Sequence, residues 1–593
     1  MYIFMFVAAA LLINVYASTC RCRSHEPCWP TEAEWNAFNH SINGHLQHVR
    51  PVGHVCHGDG YDPASCEYAK SHTNNTLWRV SEPGALIPIN WESDPSQNEE
   101  CWVVGPQTIP CGQGRIPPFA VLAETAQEIQ ATVRFARERN VRVVRNTGHD
   151  SNGKSSGVDA LQINMSKLKQ IRHTSDFIPT GGGSASLGQA VTLGAGVMGF
   201  ELLDAAADAG FIALAGLCPT VGVAGGFIQG GGHSVLAPLY GVASDNALEF
   251  EVVTAQGDLV VANQFQNPDL YWAFRGGGGG TFGVAVHTTV QTFPDIPAVR
   301  VSLDIQVPLT SAELAGQHGN ADIWHIIEDI VDLIATLNTG TNSADLTITP
   351  TPSTGNQSQI TFTTYMTGAG SGNPIDIHDA DAQFAPLRSK LDARRGVSYS
   401  YSSTPYAYLS TAVAEPTPFD RWGVGFVEGS VFLSDEFSMS TAAPHKIAKV
   451  LSQIQFWPGN RAEILIAGGG RVKANKAVVE SALLPAWRDA LLMMTVRRYL
   501  GPTPSPEAQR EFRREMTSVV MPLMRSLERD SLHMGSYLNL ADPDEPRWKE
   551  AFWGRNYPRL YRVKQTWDAD GVFVVRHGVG SEDWHDEGLC RRA

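Results

Sequence analysis

Residues 120–150 read AVLAETAQEIQATVRFARERNVRVVRNTGHD, and this stretch predicts a strand, a helix and a second strand that ends in a polar loop. Residues 120–123 and 141–145 are short runs of strand character, whereas the residues between them repeat apolar positions with helical spacing. Thr125, with Glu128 three residues later, forms the capping-box pattern of a helix start. The stretch therefore indicates an α/β unit whose final loop presents one reactive side chain, His149.

The α/β pattern continues to about residue 293 and then changes. A strand is expected at 186–193, a helix at 200–209, and a hairpin whose strands, 247–253 and 259–261, flank a Gln-Gly-Asp turn. From residue 299 to about 500 longer strands alternate with helices, which indicates a sheet covered by helices on one face. A long helix is expected from Glu507 to about Arg529. The predicted units are residues 1–17, 18–112, 113–297, 298–530 and 531–593.

Length and composition describe a globular protein with more than one core. The chain has 593 residues, of which 43% are apolar and 18% are charged, and a single core rarely extends beyond about 300 residues. The formal net charge is −15, and no cluster of Lys and Arg is present that could bind a polyanion. Nucleic acid is therefore excluded as an expected partner.

The N-terminal segment has the pattern of a secretory signal. Residues 3–17 are almost entirely apolar, which is too short for a membrane-spanning helix and suits the apolar region of a signal peptide. A mature chain beginning near Ser18 is expected, because small residues occupy the cleavage-site positions before it. Four Asn-X-Ser/Thr sequons agree with secretion, and their asparagines are the predicted glycan acceptors: Asn39, Asn74, Asn164 and Asn356.

Cysteine usage indicates an oxidising compartment and singles out one thiol. Seven of the nine cysteines precede residue 112, Cys590 lies near the C-terminus, and Cys218 stands alone between them. If the other eight cysteines pair, they form four disulfides and Cys218 is left over. Cys590 must then reach the N-terminal cluster, which brings the two chain ends together.

Three interpretations of His149 and Cys218 follow from residue chemistry alone. Neither residue has a partner at metal-ligand spacing, so no metal site is expected. A nucleophilic Cys–His dyad and a pair of covalent cofactor attachments both stay open, although Pro219 removes the backbone donor that an oxyanion hole would use. The run from Gly194 to Gly199 matches G-x-G-x-x-G but lacks the acidic residue of a Rossmann site, so a close-packed turn is expected there.

Six motifs, taken in order, resemble the FAD-binding domain of the berberine bridge enzyme-like oxidases, which belong to the vanillyl-alcohol oxidase group. They are RNTGHD at 145–150, CPTVG at 218–222, GGGH at 230–233, SDN at 244–246, NPDLYWA at 267–273 and RGGG at 275–278. NYPRL at 556–560 and residues 568–573 resemble the family's C-terminal segment, and residues 20–30 resemble secreted fungal members. The resemblance implies an α+β fold, with a two-subdomain PCMH-type FAD-binding domain and an α+β substrate domain that has a central antiparallel sheet.

For the cofactor, the resemblance implies FAD held by two covalent bonds, from His149 to the flavin 8α-methyl group and from Cys218 to ring carbon 6. Val221 matches the residue that controls oxygen access, where valine accompanies oxidase behaviour. The motifs imply that further residues bind the cofactor: Arg145, Asn146, Thr147, Gly148, Asp150, Gly222, Asn556 and Tyr557.

The implied reaction is hydride transfer from a substrate C–H bond to the flavin, with O2 as the final acceptor and H2O2 as a product. Tyr537 matches the Tyr-x-Asn-x-x-Asp pattern of sugar-oxidising members and is the candidate base. The segment GGGRV at 468–472 resembles a sheet segment of the family but carries no acid. Tyr406 and Tyr408 are lesser candidates for the substrate cleft.

The resulting hypothesis is a secreted, monomeric FAD-dependent oxidase that acts on an alcohol, a sugar or a secondary metabolite. A natural-product pathway oxidase or cyclase with the same flavin chemistry is the alternative within enzymes. A non-catalytic binding protein that keeps the flavin fold is the alternative outside them. A small-molecule substrate and O2 are the expected partners, and no membrane span is expected.

Overall fold

The computed structural model describes residues 20–309, 321–338, 340–368, 375–415, 423–585 and 588–592, so the predicted signal segment, residues 1–17, lies outside the described residues. In chain order the strands are β1 Leu46–His48, β2 Phe119–Leu122, β3 Arg142–Asn146, β4 Ala160–Asn164, β5 Ile171–Thr174, β6 Ala190–Gly194, β7 Phe211–Ile212, β8 Ala247–Val253, β9 Leu259–Asn263, β10 Val284–Gln291, β11 Phe293–Pro294, β12 Ala298–Pro308, β13 Asp345–Thr349, β14 Gln357–Met366, β15 Ser398–Tyr406, β16 Gly425–Ser434, β17 Arg461–Ile466 and β18 Ala490–Gly501.

The helices of the described residues are mostly short. In chain order they are α1 Glu32–Ser41, α2 Pro63–His72, α3 Thr76–Ser81, α4 Ala126–Glu138, α5 Gly199–Ala209, α6 Ala237–Tyr240, α7 Pro268–Phe274, α8 Ala321–Leu337, α9 Ile377–Asp392, α10 Leu409–Ala414, α11 Asp435–Ser438, α12 Ala443–Gln453, α13 Gly470–Ala474, α14 Pro506–Glu515, α15 Met521–Arg525, α16 Ser531–Met534, α17 Trp548–Trp553 and α18 Tyr557–Trp567. None of them combines the length and the apolar character that crossing a membrane requires.

The first sheet has the order β1-β2-β4-β3 and contains both strands expected at 120–123 and 141–145. β2, β4 and β3 run parallel, and β1 pairs antiparallel with β2. Thr125 and Glu128 each accept a hydrogen bond from the other's backbone N–H, so the predicted capping box of α4 is confirmed. Ile129 and Val133 bury the apolar face of α4 in the core beside this sheet. The sheet thus fixes the point from which the His149 loop leaves β3.

The second sheet, β5-β6-β10-β8-β9, is antiparallel throughout and includes the predicted hairpin of β8 and β9. Helix α5 follows β6, and the turn between them contains the G-x-G-x-x-G run. A Cβ atom placed on Gly196 would lie 2.1 Å from the carbonyl oxygen of Met165. The turn is therefore close-packed, as the sequence predicted, and its glycines serve backbone contact.

The third sheet has seven antiparallel strands in the order β15-β12-β14-β13-β17-β18-β16. One face carries the large apolar core that helices α8, α9 and α12 cover. Because side chains alternate along a strand, the polar residues of these strands lie on the opposite face, toward the first two sheets. The sequence prediction omitted β18, since this strand is buried along most of its length and shows no alternation.

The two chain ends meet, as the cysteine count predicted. The four disulfides are Cys20–Cys590, Cys22–Cys28, Cys56–Cys66 and Cys101–Cys111, and Cys218 takes no part in them. Together with the three larger sheets and the two-stranded sheet of β7 and β11, this arrangement confirms the α+β class and the central antiparallel sheet of the second part of the chain.

The predicted helix from Glu507 to about Arg529 is too long. The helical run starts at Pro506 and ends at Arg525, and its middle residues, 516–520, form wider π-helical turns. Pro522 follows these turns directly and has no backbone N–H to donate, which suits the change in winding.

The sequons differ in their exposure. Asn164 is 3% exposed and its amide nitrogen donates to Gln162 Oε1 at 3.1 Å, so the folded chain leaves no room for a glycan there. The prediction for Asn164 is therefore corrected. Asn74 and Asn356 are exposed and Asn39 is partly buried.

Candidate active site

Two loops that are distant in sequence pack backbone to backbone. Gly148, in the loop after β3, has φ +70°, and a Cβ atom there would lie 2.5 Å from Thr220 O and 2.7 Å from Gly222 N. A Cβ atom on Gly222 would lie 2.6 Å from Thr147 Cγ2. Only glycine combines this left-handed conformation with so close an approach. The RNTGHD and CPTVG motifs therefore form one structure.

His149 and Cys218 occupy two sides of this joined structure. His149 Nε2 lies 2.8 Å from Thr220 Oγ1, and the imidazole lines a cleft. Cys218 is partly buried beside Ile87, Phe426 and Tyr499, so it faces strands β16 and β18 of the third sheet. The structure thus brings the two predicted attachment residues together through the joined loops.

The cleft beside His149 has a wall of glycine backbone. It encloses about 700 Å³ of unfilled space, part of which is open to solvent. Gly225, Gly226, Gly279 and Gly280 line it, and nothing lies within 4 Å of a Cβ atom built on Gly225 or Gly226. Backbone amides in such a wall can approach a ligand closely.

Arg145 shows that the cleft suits an FAD. Its Nη1 and Nη2 atoms are buried without a hydrogen-bond partner among the described residues, and the guanidinium lies 4.8 Å from the centre of the Phe573 ring. Burial lowers the pKa of Arg145 to about 10, so the group stays charged at neutral pH. Leaving such donors unpaired costs free energy, and the diphosphate of FAD would satisfy them.

Asp150, which is also predicted to bind the cofactor, is buried in the loop that follows His149. It is 1% exposed and accepts a hydrogen bond from Ser155 N at 2.7 Å, which shapes the loop after His149. Thr147 does line the cleft, Asn146 ends strand β3, and the carbonyl of Val221 accepts from Gly199 N at 2.9 Å.

Asn556 and Tyr557, which are also predicted to bind the cofactor, make hydrogen bonds within the protein. Asn556 Nδ2 donates to Leu483 O at 2.8 Å, and the Tyr557 hydroxyl donates to Glu582. Both residues hold helix α18 against its surroundings. This segment reaches the cofactor cleft through other residues.

A buried ion pair fixes the end of the C-terminal segment. Lys564 Nζ donates to Asp568 Oδ2 at 2.6 Å, to Thr281 O at 2.8 Å and to Phe573 O at 2.6 Å. Asp568 also accepts from the backbone N–H groups of Val572 and Phe573. These contacts tie residues 564–573 to the glycine wall and place Phe573 under Arg145.

Tyr537, the predicted base, is buried beside Asn539, a residue of the cleft wall. Its hydroxyl accepts from Asn539 Nδ2 at 3.0 Å and from His233 N at 3.4 Å. Asn539 lines the cleft and also donates to Gly226 O at 2.9 Å. Burial raises the pKa of Tyr537 despite these donors. The phenol is therefore one hydrogen bond away from the cleft wall and protonated at neutral pH.

The polar face of the third sheet carries charged residues that the sequence prediction missed. Arg497 donates to Glu428 Oε2 at 2.8 and 3.0 Å. Burial lowers the pKa of Arg497, but Glu428 and Glu463 outweigh this effect and hold the pKa well above its usual range. Burial and Glu463 raise the pKa of Asp345 to about 7. Glu428 lies within a strand that is buried on both faces. An acidic residue within an otherwise apolar strand was the sequence feature that could have identified this group as functional.

A second cavity lies between helix α5 and helix α10, and apolar residues make up most of its wall, including Phe200, Leu217 and Val413. Glu415 also lines this cavity, and its Oε1 accepts a hydrogen bond from the Tyr406 hydroxyl at 2.6 Å. Tyr408 is 59% exposed and lies on the surface. Of the two lesser tyrosine candidates, only Tyr406 is near a cavity of the described residues.

Comparison with known proteins agrees with this geometry. A family described as FAD binding domain matches residues 117–263, and a family described as berberine and berberine like matches residues 536–580. The chain is 47% identical over 559 residues to the flavin-dependent oxygenase ucdF of Aspergillus ustus, which covers 94% of this chain and 98% of the relative. It is 40% identical to the FAD-linked oxidoreductase malF of Malbranchea aurantiaca over 97% of this chain and 95% of the relative.

A solved structure extends the likeness to the whole fold. The VAO-type flavoprotein of Myceliophthora thermophila C1, determined at pH 5.0, superposes with a TM-score of 0.82 at 30% identity and covers 97% of this chain and 100% of its own. The expected PCMH-type fold and the expected family are both confirmed. The chain therefore belongs to the FAD-linked oxidoreductases of the vanillyl-alcohol oxidase and berberine bridge enzyme family.

Proposed function

We propose that the protein is a secreted oxidase whose FAD is attached covalently through His149 and Cys218. The observation that carries the proposal is the joining of the two loops, in which Gly148 packs on Thr220 and Gly222 while His149 Nε2 meets Thr220 Oγ1 at 2.8 Å. Arg497 of the third sheet interacts electrostatically with Cys218, which is consistent with a reactive thiol at this position.

Each part of the cleft would have a separate task in holding the cofactor. The guanidinium of Arg145 would bind the diphosphate, and the glycine wall would let the backbone approach the ligand. The flavin, when bound, accepts a hydride from the substrate and passes electrons to O2. The remaining chemistry belongs to this chain, which must orient the substrate C–H bond and remove a proton from the substrate hydroxyl.

The hydroxyl oxygen of Tyr537 is the proposed proton acceptor. Asn539 and the backbone of His233 donate to it and would stabilise the phenolate after proton loss. Since burial raises the pKa of Tyr537, only a small fraction is deprotonated at pH 7. The rate of substrate oxidation should therefore increase with pH through and above neutrality if this group is the base.

Replacement of Tyr537 by Phe tests this role. We expect kcat to fall by about 10²–10⁴-fold, which is the usual contribution of a positioned general base, while the flavin content stays at the wild-type level. Stopped-flow measurement of flavin bleaching under anaerobic conditions gives the rate of the chemical step. Glu428→Gln is the comparison variant, because Glu428 is the buried carboxylate on the facing sheet. A larger loss of kcat in Glu428→Gln than in Tyr537→Phe would indicate that Glu428 of the third sheet is the base.

The oxidase assignment predicts H2O2 as the second product, and Val221 is the residue proposed to admit oxygen. Purified protein should show a flavin absorbance band that stays with the polypeptide after acid precipitation. Turnover of an alcohol, sugar or phenol from a substrate panel should release one H2O2 per substrate, measured with a peroxidase-coupled dye. A protein with bound flavin that oxidises nothing on the panel would favour the non-catalytic binding protein instead.

A second candidate function is that of an oxygenase. The relative from Aspergillus ustus, which is 47% identical, is a flavin-dependent oxygenase. Turnover in ¹⁸O2 separates the two reactions, because an oxygenase places the label in the organic product and an oxidase places it in H2O2.

Secretion, glycosylation and domain organisation complete the proposal. Four disulfides agree with an oxidising compartment. The proposed glycan sites are Asn39, Asn74 and Asn356, and the proposed FAD-binding and substrate domains are residues 113–297 and 298–530. The protein is proposed to act as a monomer.

A further inference from the structure

Two cationic side chains in the cleft wall lack hydrogen-bond partners among the described residues. One is Arg145, whose guanidinium suits the diphosphate of the proposed cofactor. The other is Lys154, which lines the same cleft as His149 and interacts electrostatically with Asp150 without a hydrogen bond to it. The proposed function assigns a role to Arg145 but none to Lys154.

The backbone around Lys154 is held rigidly. Asn152 and Gly153 both have positive φ, and a Cβ atom on Gly153 would lie 2.7 Å from the ring of Trp91. Arg115 donates to Gly153 O at 3.2 Å, and Ser155 N donates to Asp150 Oδ1 at 2.7 Å. The loop therefore presents the lysine side chain to the cleft from a fixed position.

The charges of the two cations respond differently to their surroundings. Burial lowers the pKa of Lys154 to about 7, whereas that of Arg145 stays at about 10. His577 adds no positive charge on this side, because burial and nearby cations lower its pKa to about 3. Near neutral pH, Arg145 is thus permanently charged and Lys154 is divided between its charged and neutral forms.

This difference matches two kinds of negative charge on a flavin cofactor. The diphosphate is always anionic and suits an arginine, which cannot lose its proton at these pH values. The isoalloxazine ring gains negative charge only when it is reduced. A neutral lysine beside the ring can bind a proton when the ring is reduced. Its positive charge then appears at the same step as the negative charge of the ring.

We propose that Lys154 takes up one proton when the bound flavin is reduced and thereby offsets the negative charge that reduction places on the flavin ring. The inference rests on the proposed binding of FAD in this cleft. A substrate hydride brings two electrons and one proton to the oxidised ring and leaves one negative charge on it. Lys154 Nζ binds a second proton, which comes from solvent, so the site gains two electrons and two protons in total.

The test is the pH dependence of the flavin midpoint potential in the full-length, flavin-loaded protein. Dye-equilibrated reductive titrations between pH 6 and 9 give the number of protons taken up per two electrons. For the wild type we expect one proton below about pH 7, where Lys154 is already charged, and two protons above it. Lys154→Met should take up one proton at every pH, and its potential above neutrality should be lower.

Two further variants make the result specific. Lys154→Arg keeps a permanent charge, so it should also take up one proton throughout but hold a higher potential than Lys154→Met. Ser155→Ala, a change in the neighbouring cleft residue, should behave like the wild type. Two protons above pH 7 in Lys154→Met would overturn the proposal.

The titration separates this inference from the proposed function. It needs neither a substrate nor a covalent bond, so wild-type protein that holds FAD non-covalently or oxidises nothing still reports on Lys154. If Lys154→Met purifies without flavin while Lys154→Arg binds flavin normally, Lys154 binds the diphosphate, whose negative charge is permanent, and the proposal is wrong. Wild-type protein that binds no flavin would contradict the proposed function first.

Discussion

Protein carrying both His149→Ala and Cys218→Ala should release all of its flavin on acid precipitation. The reason is that both proposed covalent bonds are then absent, while Arg145 and the glycine wall still provide non-covalent contacts. Absorbance at the flavin band in the pellet and the supernatant measures the outcome, and mass spectrometry of the intact chain should show the loss of one FAD.

The single variants provide the matched controls. Cys218→Ala should keep its flavin through His149, and His149→Ala should keep it through Cys218, so each pellet stays yellow. Loss of all flavin from Cys218→Ala alone would mean that His149 does not form a bond. Thr220→Val removes the 2.8 Å contact to His149 Nε2 without removing an attachment residue, and we expect slower attachment with the same final mass.

Asp568→Asn is expected to lower the free energy of unfolding by about 3–5 kcal/mol, which is the usual loss when one partner of a buried ion pair is removed. Lys564 would keep its buried charge without a counterion, because its other acceptors are two carbonyl oxygens. Urea unfolding followed by tryptophan fluorescence measures the change. Since Phe573 supports Arg145, the variant should also load less flavin.

The control is a neighbouring carboxylate in an exposed ion pair. Asp570 lies 3.3 Å from Arg137 with a 66% exposed side chain, and such surface pairs contribute about 0–1 kcal/mol. Asp570→Asn should therefore leave the unfolding midpoint nearly unchanged. Equal losses in the two variants would show that the buried pair has no special role in holding the C-terminal segment.

The two loops that carry His149 and Cys218 could be predicted from the sequence because local motifs specify them. Gly148 has a positive φ and a close backbone neighbour, which only glycine allows. The glycine is therefore part of the local motif and can be recognised in the sequence. The odd number of cysteines identified Cys218 from the sequence alone, because disulfides use cysteines in pairs and one of nine is left outside them.

Residues of the facing sheet could not be predicted in this way. Glu428 and Arg497 come from strands β16 and β18, which are far apart in sequence and meet only through strand register. The hydrogen-bond partners of Asn556 and Tyr557 could not be predicted for a related reason. Their motif matches the family, but the side chains hold helix α18 while Asn539 and Phe573 of the same segment reach the cleft and Arg145.

The position of the C-terminal segment limits when the proposed covalent bonds to the cofactor could form during biosynthesis. The cleft obtains Asn539 and the support for Arg145 from residues 539–573, and the Cys20–Cys590 disulfide closes only after nearly the whole chain has been made. A ribosome-bound chain that already displays His149 and Cys218 still lacks one side of the cavity. The proposed covalent attachment would therefore be a post-translational step of the completed polypeptide, and we expect a chain truncated before residue 539 to retain no flavin.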